Sequence, residues 1–311
     1  MLSNILTGQF FIKWVYIKLN YIKMVGDIML GWLIVNGFLQ GDKYNEIYDW
    51  LNKAFKKRGH IIKMYTNIEA SLIDNIDVKP DFVLFWDKDI TLAKRLESMN
   101  IRLFNNSKAI EICDNKALTY ITLKDNIKMP NTYIVPMTYR NIGYNNTSFV
   151  SNIAKDIGYP LVIKECFGSF GEQVYLANDE FAAIDIIKNT AEPLIIQQFI
   201  AESKGRDIRI NVVGDKVVAS MIRKNEHDFR ANITNGGSAA SYEPTSLEID
   251  MAVNVCKLIG LDFGGVDILF SNDAPILCEV NSNAHFKSIY DCTGVNVADE
   301  IVRYIEKCLV I

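Results

Sequence analysis

Between Trp32 and Phe104 short apolar runs alternate with segments of helical spacing, and that alternation leaves the first third of the chain few folds to choose from. Residues 32–38 are apolar, and residues 44–57 carry Ile47, Trp50, Leu51, Ala54 and Phe55 at helical intervals. Strand-like runs follow at 60–65, 81–86 and 102–104, with a helical stretch at 91–99 before the last of them. Strands that alternate with helices predict a small open parallel sheet. Gly37 and Gly41 lack the spacing of a dinucleotide fingerprint, so this unit carries little chemistry of its own.

The remainder reads differently. A helix is expected over 107–123 with Ser107 as N-cap, then an extended piece bounded by Pro130 and Pro136, and a polar crossing at 141–147. Helices at 149–157 and 180–189 surround strands at 161–164, 174–177 and 194–200. Two hairpins, 207–213 with 216–223 and 265–270 with 275–280, lie on either side of a helix at 246–258, and a helix at 296–309 closes the chain. Clustered strands with few helices predict an α+β arrangement here. There is no internal repeat and no low-complexity tract.

The second hairpin constrains chemistry. Paired residues of an antiparallel hairpin have a constant numerical sum, so a turn centred on Asp273 sets Asp267 opposite Glu279, with Cβ atoms roughly 5 Å apart. Asn281, two residues on, shares their face. Facing carboxylates need a shared proton, a basic side chain or a divalent cation to offset their repulsion. Two carboxylates and an amide are hard oxygen donors, suited to Mg²⁺ or Mn²⁺ and not to zinc. The plainer reading is a wet, charged sheet face; the apolar residues around it favour the metal.

Other features are weaker alone. The strand Leu161-Val-Ile-Lys164 runs into Gly168-Ser169-Phe170-Gly171 without the order of a Walker A loop, which favours an ordinary hairpin turn over a phosphate cradle. Asp207 and Arg209 share one strand face, as a cross-strand salt bridge or as part of a site. The segment from Arg223 through Arg230 and Asn232 to Gly236-Gly237 joins basic residues to glycines, either as an anion site or as a solvated loop.

Composition excludes several classes. A net charge of -4 and a pI of about 5.5 give no whole-protein field toward nucleic acid or an anionic membrane. Six scattered cysteines without a Cys-x-x-Cys pair argue against disulfides and zinc, and point to a reduced, cytoplasmic setting. Residues 10–25 are aromatic and apolar, but Lys13, Lys18 and Lys23 interrupt them short of the ~18 residues a membrane span needs. A strand opening at Met29, preceded by Val25-Gly26-Asp27 that a purine-rich ribosome-binding stretch would encode, makes residues 1–28 the expected product of a mis-assigned start.

In order, Asn105-Asn-Ser-Lys-Ala-Ile-Glu-Ile-Cys-Asp-Asn-Lys116, Pro160-Leu-Val-Ile-Lys164, Gln197-Gln-Phe-Ile, Gly205-Arg-Asp-Ile-Arg209, Asp228-Phe-Arg-Ala-Asn232, Gly265-Val-Asp267 and Glu279-Val-Asn281 resemble the ATP-grasp superfamily, and within it the RimK-like glutamate ligases. The likeness runs from about residue 105 to the C-terminus. It implies an ATP-grasp fold of mixed α/β and α+β class. An open parallel-sheet pre-ATP-grasp domain would span 29–106, a central lobe with a glycine-rich lid 107–196, and a C-terminal lobe with the metal site 197–311.

By matching position, Lys116 and Lys164 would contact the phosphates of ATP beneath the lid of Gly168, Ser169 and Gly171. Gln197, Gln198 and Phe199 would border adenine, and Asp207 would reach toward the ribose, with Arg209 beside it. Arg230 and Asn232 would serve the transferred phosphate, and Asp267, Glu279 and Asn281 would hold Mg²⁺ or Mn²⁺. The implied reaction joins an amino acid such as L-glutamate to a carboxylate on a protein tail, peptide or metabolite through an acyl phosphate. A kinase or a nucleotide-binding regulator on the same scaffold are the alternatives. Related ligases often self-associate. The chain departs from the pattern at Glu172-Gln173, where relatives usually place a further glycine, at Gln198, where many are acidic, and at Asn283-Ala-His285-Phe, where proline is common.

Overall fold

The structure is a computed structural model that describes residues 28–39, 41–74, 76–169, 171–190 and 192–309. The expectation about a mis-assigned start falls on residues 1–27, outside the described residues. The chain divides into two compact units, one up to Ser107 together with residues from Ala298 onward, the other Lys108–Val297.

In the first unit strands β1 (Leu30–Val35), β2 (Ile61–Thr66), β3 (Phe82–Trp86) and β4 (Leu103–Phe104) form a parallel sheet in the order β2-β1-β3-β4. This is the open sheet that the alternating pattern predicts. Helices α1 (Asp42–Lys57), α2 (Asn67–Ser71) and α3 (Ile90–Ser98) connect the strands. The short α2 escaped the sequence reading because five residues carry no periodicity; a capping box between Thr66 and Glu69 starts it. Gly31 is needed where it stands, since a Cβ there would come within 2.3 Å of the Phe82 ring.

The second unit holds helices α4 (Ser107–Asp114), α5 (Lys116–Leu123), α6 (Phe149–Ile157), α7 (Glu180–Lys188), α8 (Ser246–Ile259) and α9 (Lys287–Thr293). The single helix expected over 107–123 is two. Asn115 separates them because its side chain accepts from the Ala117 and Leu118 amides and so caps a new helix. One sheet is β5 (Thr132–Ile134), β6 (Leu161–Glu165), β7 (Val174–Ala177) and β8 (Leu194–Gln198), in the order β5-β8-β6-β7. The other is β9 (Arg206–Val213), β10 (Lys216–Lys224), β11 (Ser238–Ser241), β12 (Phe263–Leu269) and β13 (Ile276–Asn281), in the order β11-β10-β9-β12-β13.

Period-two alternation sorts each strand's residues. Leu161, Ile163, Leu194 and Ile196 enter a core with Val150, Ile153, Ala183 and Ile187 from α6 and α7, so Val162, Lys164, Ile195 and Gln197 face the other way. In the second sheet Ile208, Ile210, Val266, Ile268 and Val280 pack on Ala252, Val255 and Cys256 of α8, which turns Asp207, Arg209, Asp267, Glu279 and Asn281 to the opposite face.

The closing helix α10 (Val297–Leu309) departs from the expected C-terminal lobe: from Ala298 on it belongs to the first unit. Tyr304 lies edge-on to Phe104, and the Glu306 carboxylate takes two bonds from Arg58 and one from His60. His60 Nδ1 accepts from the Met29 amide, so Nε2 carries the proton that Glu306 accepts. Burial alone would raise the Glu306 pKa, but the Arg58 and His60 hydrogen bonds outweigh it and hold the carboxyl below its usual range. A depressed carboxyl adds stability above its unfolded pKa and loses it as pH falls through the folded value. Glu306→Gln should therefore cost about 1–2 kcal/mol of unfolding free energy at neutral pH. In urea denaturation the difference from wild type should shrink as pH falls through the depressed folded-state pKa of Glu306.

Candidate active site

The face of β10-β9-β12-β13 turned away from α8 carries an ordered ladder of charge. Arg223 pairs directly with Asp207 across β10 and β9, and Asp267 pairs with Arg209 on one side and Glu279 on the other. The predicted opposition of Asp267 and Glu279 is therefore present. Arg209 Nε and Nη2 donate to the two Asp267 oxygens at 2.7 and 2.6 Å. Arg223 donates to both Asp207 oxygens at 2.7 and 2.6 Å, and its Nη2 also stands 3.0 Å from Asp267 Oδ2. Burial pushes the Asp267 pKa up, but Arg209 and Arg223 outweigh it and keep the carboxyl below its ordinary value.

Basic side chains thus supply the compensation that the facing carboxylates demanded, because the Lys116 ammonium also lies 3.6 Å from Glu279. Repulsion by itself no longer requires a metal here. Among the described residues no group of three or more Asp, Glu, His or Cys side chains is placed to hold one. A cation would need Asn281 Oδ1 beside Glu279, and it would share Asp267 with Arg209 and Arg223, which already bond both its oxygens. Asn281 Nδ2 is sealed from solvent and has no hydrogen-bond partner among the described residues. Glu279 keeps 32% of its side chain exposed, and these oxygen donors suit Mg²⁺.

A β-bulge shapes the same wall. The β12–β13 register slips just after Asp267, so that Ile268 pairs with Leu277 and Cys278 is the extra residue. Cys278 lines the cleft beside Glu279, with its Sγ 4.0 Å from Lys164 Nζ, where the sequence suggested only a small buried hydrophobe. Burial raises its thiol pKa to about 11.

The opposing wall comes from β6, β8 and their loops. Lys164 is 8% exposed on β6, and Lys116 opens α5 with its amide bonded to the Cys166 carbonyl. Between β6 and β7 the lid turns at Gly168 and Gly171, with φ of 138° and 75°. Phe170 of this loop lies outside the described residues. Gln173 Oε1 accepts from the Ser169 amide at 3.2 Å and fills the space beside Gly168, so one of the departures from the glycine pattern supports the turn through its side chain. Arg230 reaches across to the lid: it donates to the Gly171 and Val174 carbonyls while Asp228 holds its other nitrogens. A Cβ on Gly171 would meet Asn232 Oδ1 at 2.7 Å.

One cleft gathers Lys116, Lys164, Gly168, Ser169, Gly171, Gln197, Gln198, Phe199, Asp207, Arg230, Asn232, Asp267 and Glu279. Two expected site residues, Arg209 and Asn281, do not line it; Arg209 lies behind Asp267 as its counter-ion. Asp207 does line it, yet both its oxygens are bonded to Arg223 and do not stand free for a ribose. Sequence reasoning missed Phe229, whose ring lies 6.5 Å from Phe199 at the apolar end, and the buried role of Arg223, which it placed at the start of a loop.

The profile of the RimK-like ATP-grasp domain matches residues 113–305. The chain belongs to the RimK-like ATP-grasp family. Over 222 residues it is 39% identical to a probable alpha-L-glutamate ligase of Syntrophotalea carbinolica, covering 70% of this chain and 71% of that protein. Over 225 residues it is 33% identical to beta-citrylglutamate synthase B of Danio rerio, covering 70% of this chain and 54% of that one. Its fold matches the crystal structure of D-alanine–D-alanine ligase from Bacillus anthracis complexed with ATP. There the TM-score is 0.69 at 18% identity, over 91% of this chain and 97% of that one. The expected ATP-grasp fold is thus present, and the chain is an ATP-grasp ligase, a class that uses ATP to join a carboxylate to an amine. Among its described residues no helix is long and apolar enough to cross a membrane.

Arg223 serves two buried carboxylates at once, so its loss should weaken the fold as well as the cleft. Arg223→Leu removes the donor to both Asp207 oxygens and leaves Asp267 with one guanidinium fewer, at a cost of about 3–5 kcal/mol. Chemical denaturation of wild type and variant measures this.

Proposed function

We propose that the cleft binds the triphosphate of ATP between Lys116, Lys164 and the 168–171 lid, and joins an amino acid, L-glutamate foremost, to a carboxylate acceptor. The carrying observation is the meeting of Lys116 of α5 with Glu279 at 3.6 Å, and of Lys164 of β6 with Cys278 at 4.0 Å, Glu279 and Cys278 both belonging to β13. Cations and carboxylates of opposite walls share one space, as a polyanion that must be neutralised and positioned requires. The names of the two relatives, one for glutamate ligation and one for joining citrate to glutamate, support glutamate as the amine. They leave a peptide, a protein tail or a small metabolite as the acceptor.

In the first step an acceptor carboxylate oxygen bonds to the γ-phosphorus, and the bond from that phosphorus to the bridging oxygen breaks, releasing ADP. In the second, the amine adds to the acyl carbon, phosphate departs, and the nitrogen loses a proton to leave an amide. The protein does little covalent work; orientation and neutralised charge carry the rate. Lys116 and Lys164 bind phosphate oxygens. Arg230, at the lid edge, stabilises the acyl phosphate and the tetrahedral oxyanion, with Asn232 beside it. Asp267, Glu279 and Asn281 would hold Mg²⁺ or Mn²⁺, which supplies positive charge to the phosphates when bound.

Hydroxylamine tests the reaction class. Incubation with ATP, Mg²⁺ and the true carboxylate substrate should yield a hydroxamate together with ADP. ADP and a stable phosphorylated product without hydroxamate would indicate a kinase instead. For the metal wall, Glu279→Ala should lower ATP turnover at least a hundredfold. A coupled ADP-release assay reads this, and unchanged turnover would remove Glu279 from the site.

A further inference from the structure

Gln197 is 2% exposed and lines the cleft from β8. It is paired with Thr132 of β5 and Val162 of β6, so the three side chains share the face that also carries Lys164. Its amide is bonded at one end only. Nε2 donates to Thr132 Oγ1 at 2.8 Å, and Thr132 Oγ1 in turn donates to the Pro130 carbonyl at 2.7 Å. Oε1 is sealed from solvent and has no hydrogen-bond partner among the described residues.

The polarity of this relay follows from proton count. A threonine hydroxyl has one proton, and here it goes to Pro130, whose carbonyl can only accept. Toward Gln197 the hydroxyl presents lone pairs, so it must face the amide nitrogen. Turning the amide over would set oxygen against oxygen and lose the bond. The Gln197 carbonyl is thereby committed to the cleft wall as an acceptor, and a buried acceptor left alone is costly.

We propose that Thr132 is a positioning residue for base selection: by fixing the Gln197 amide, it makes the cleft prefer a purine with a 6-amino group over one with a 6-oxo group. This rests on the nucleotide reading of the cleft given above. An exocyclic amine donates to Gln197 Oε1, whereas a 6-oxo group sets a second acceptor against it. Phe199 and Phe229 supply the flat apolar surfaces at the same end, which any purine uses alike.

ATP and inosine triphosphate share ribose and triphosphate and differ at the 6-position and its neighbouring ring nitrogen, so their affinity ratio isolates the base edge. Calorimetric titration of the full-length protein should give ATP on the order of a hundredfold tighter binding than inosine triphosphate. Thr132→Val removes the hydroxyl at nearly constant shape and frees the amide to turn, which should bring the ratio within about tenfold. Thr132→Ala, which removes the same oxygen and bulk as well, should do likewise, and Thr132→Ser should keep the wild-type ratio. The proposal is overturned if Val and Ala variants discriminate like wild type, if the Ser variant loses as much as they do, or if wild type binds both nucleotides equally. Wild type binding neither would instead overturn the nucleotide reading, and this inference with it.

Discussion

The guanidinium of Arg223, held between Asp207 and Asp267, is the interaction on which the C-terminal sheet's working face depends. Buried carboxylates are tolerable only when paired and fully hydrogen-bonded. Each strand contributes one part of the solution: β10 a cation, β9 an anion and a cation, β12 an anion. Arg209 completes the Asp267 shell from the far side. With three strands locked in this register, Glu279 on β13 is presented to the cleft, with Asn281 on the same face of the strand. The same charges that stabilise the sheet hold the Asp267 carboxyl below its ordinary pKa.

The opposing wall obeys the same alternation with different chemistry. Leu161, Ile163, Leu194 and Ile196 are consumed by the core, so Val162, Lys164 and Gln197 are left for the cleft. Lys164 and the half-bonded amide of Gln197 are the polar groups of that face, on which the proposed phosphate and base contacts rest. The lid belongs to both walls. Arg230 and Asn232 come from the segment between β10 and β11, yet they touch the turn between β6 and β7. Residues proposed to serve the transferred phosphate therefore also fix where the lid sits.

The sequence was informative wherever its rules are local. Alternating strands and helices disclosed the parallel sheet; the constant-sum rule centred on Asp273 set Asp267 against Glu279, a pairing that the extra residue Cys278 makes possible, because the turn-side pairs Ile268–Leu277 and Leu269–Ile276 sum to one less. The same rule misleads at the neighbouring hairpin. Counting back from the Gly214-Asp215 turn sets Asp207 against Ile222, because Val213 pairs with Lys216. The register slip between Val217 and Ala219 moves Arg223 there instead. A bulge costs one residue and leaves no clear mark in the sequence, so Arg223 read as the end of its strand and the start of a basic loop, without its partner Asp207. A second bulge turned Cys278 from core to cleft for the same reason. Asn115 was legible in principle, since asparagine caps helices, but the apolar spacing on both sides concealed the break.

The sequence by itself determined the elements, their faces and the family, since all three follow from residue type at fixed local spacing. It also determined that Asp267, Glu279 and Asn281 share a face. Only the tertiary structure decided which charges meet: Arg209 with Asp267, Arg223 with two carboxylates, Arg230 with the lid, and the final helix with the first sheet. Those partnerships depend on strand order, bulges and returning chain. Each couples residues far apart in sequence, where spacing carries no information.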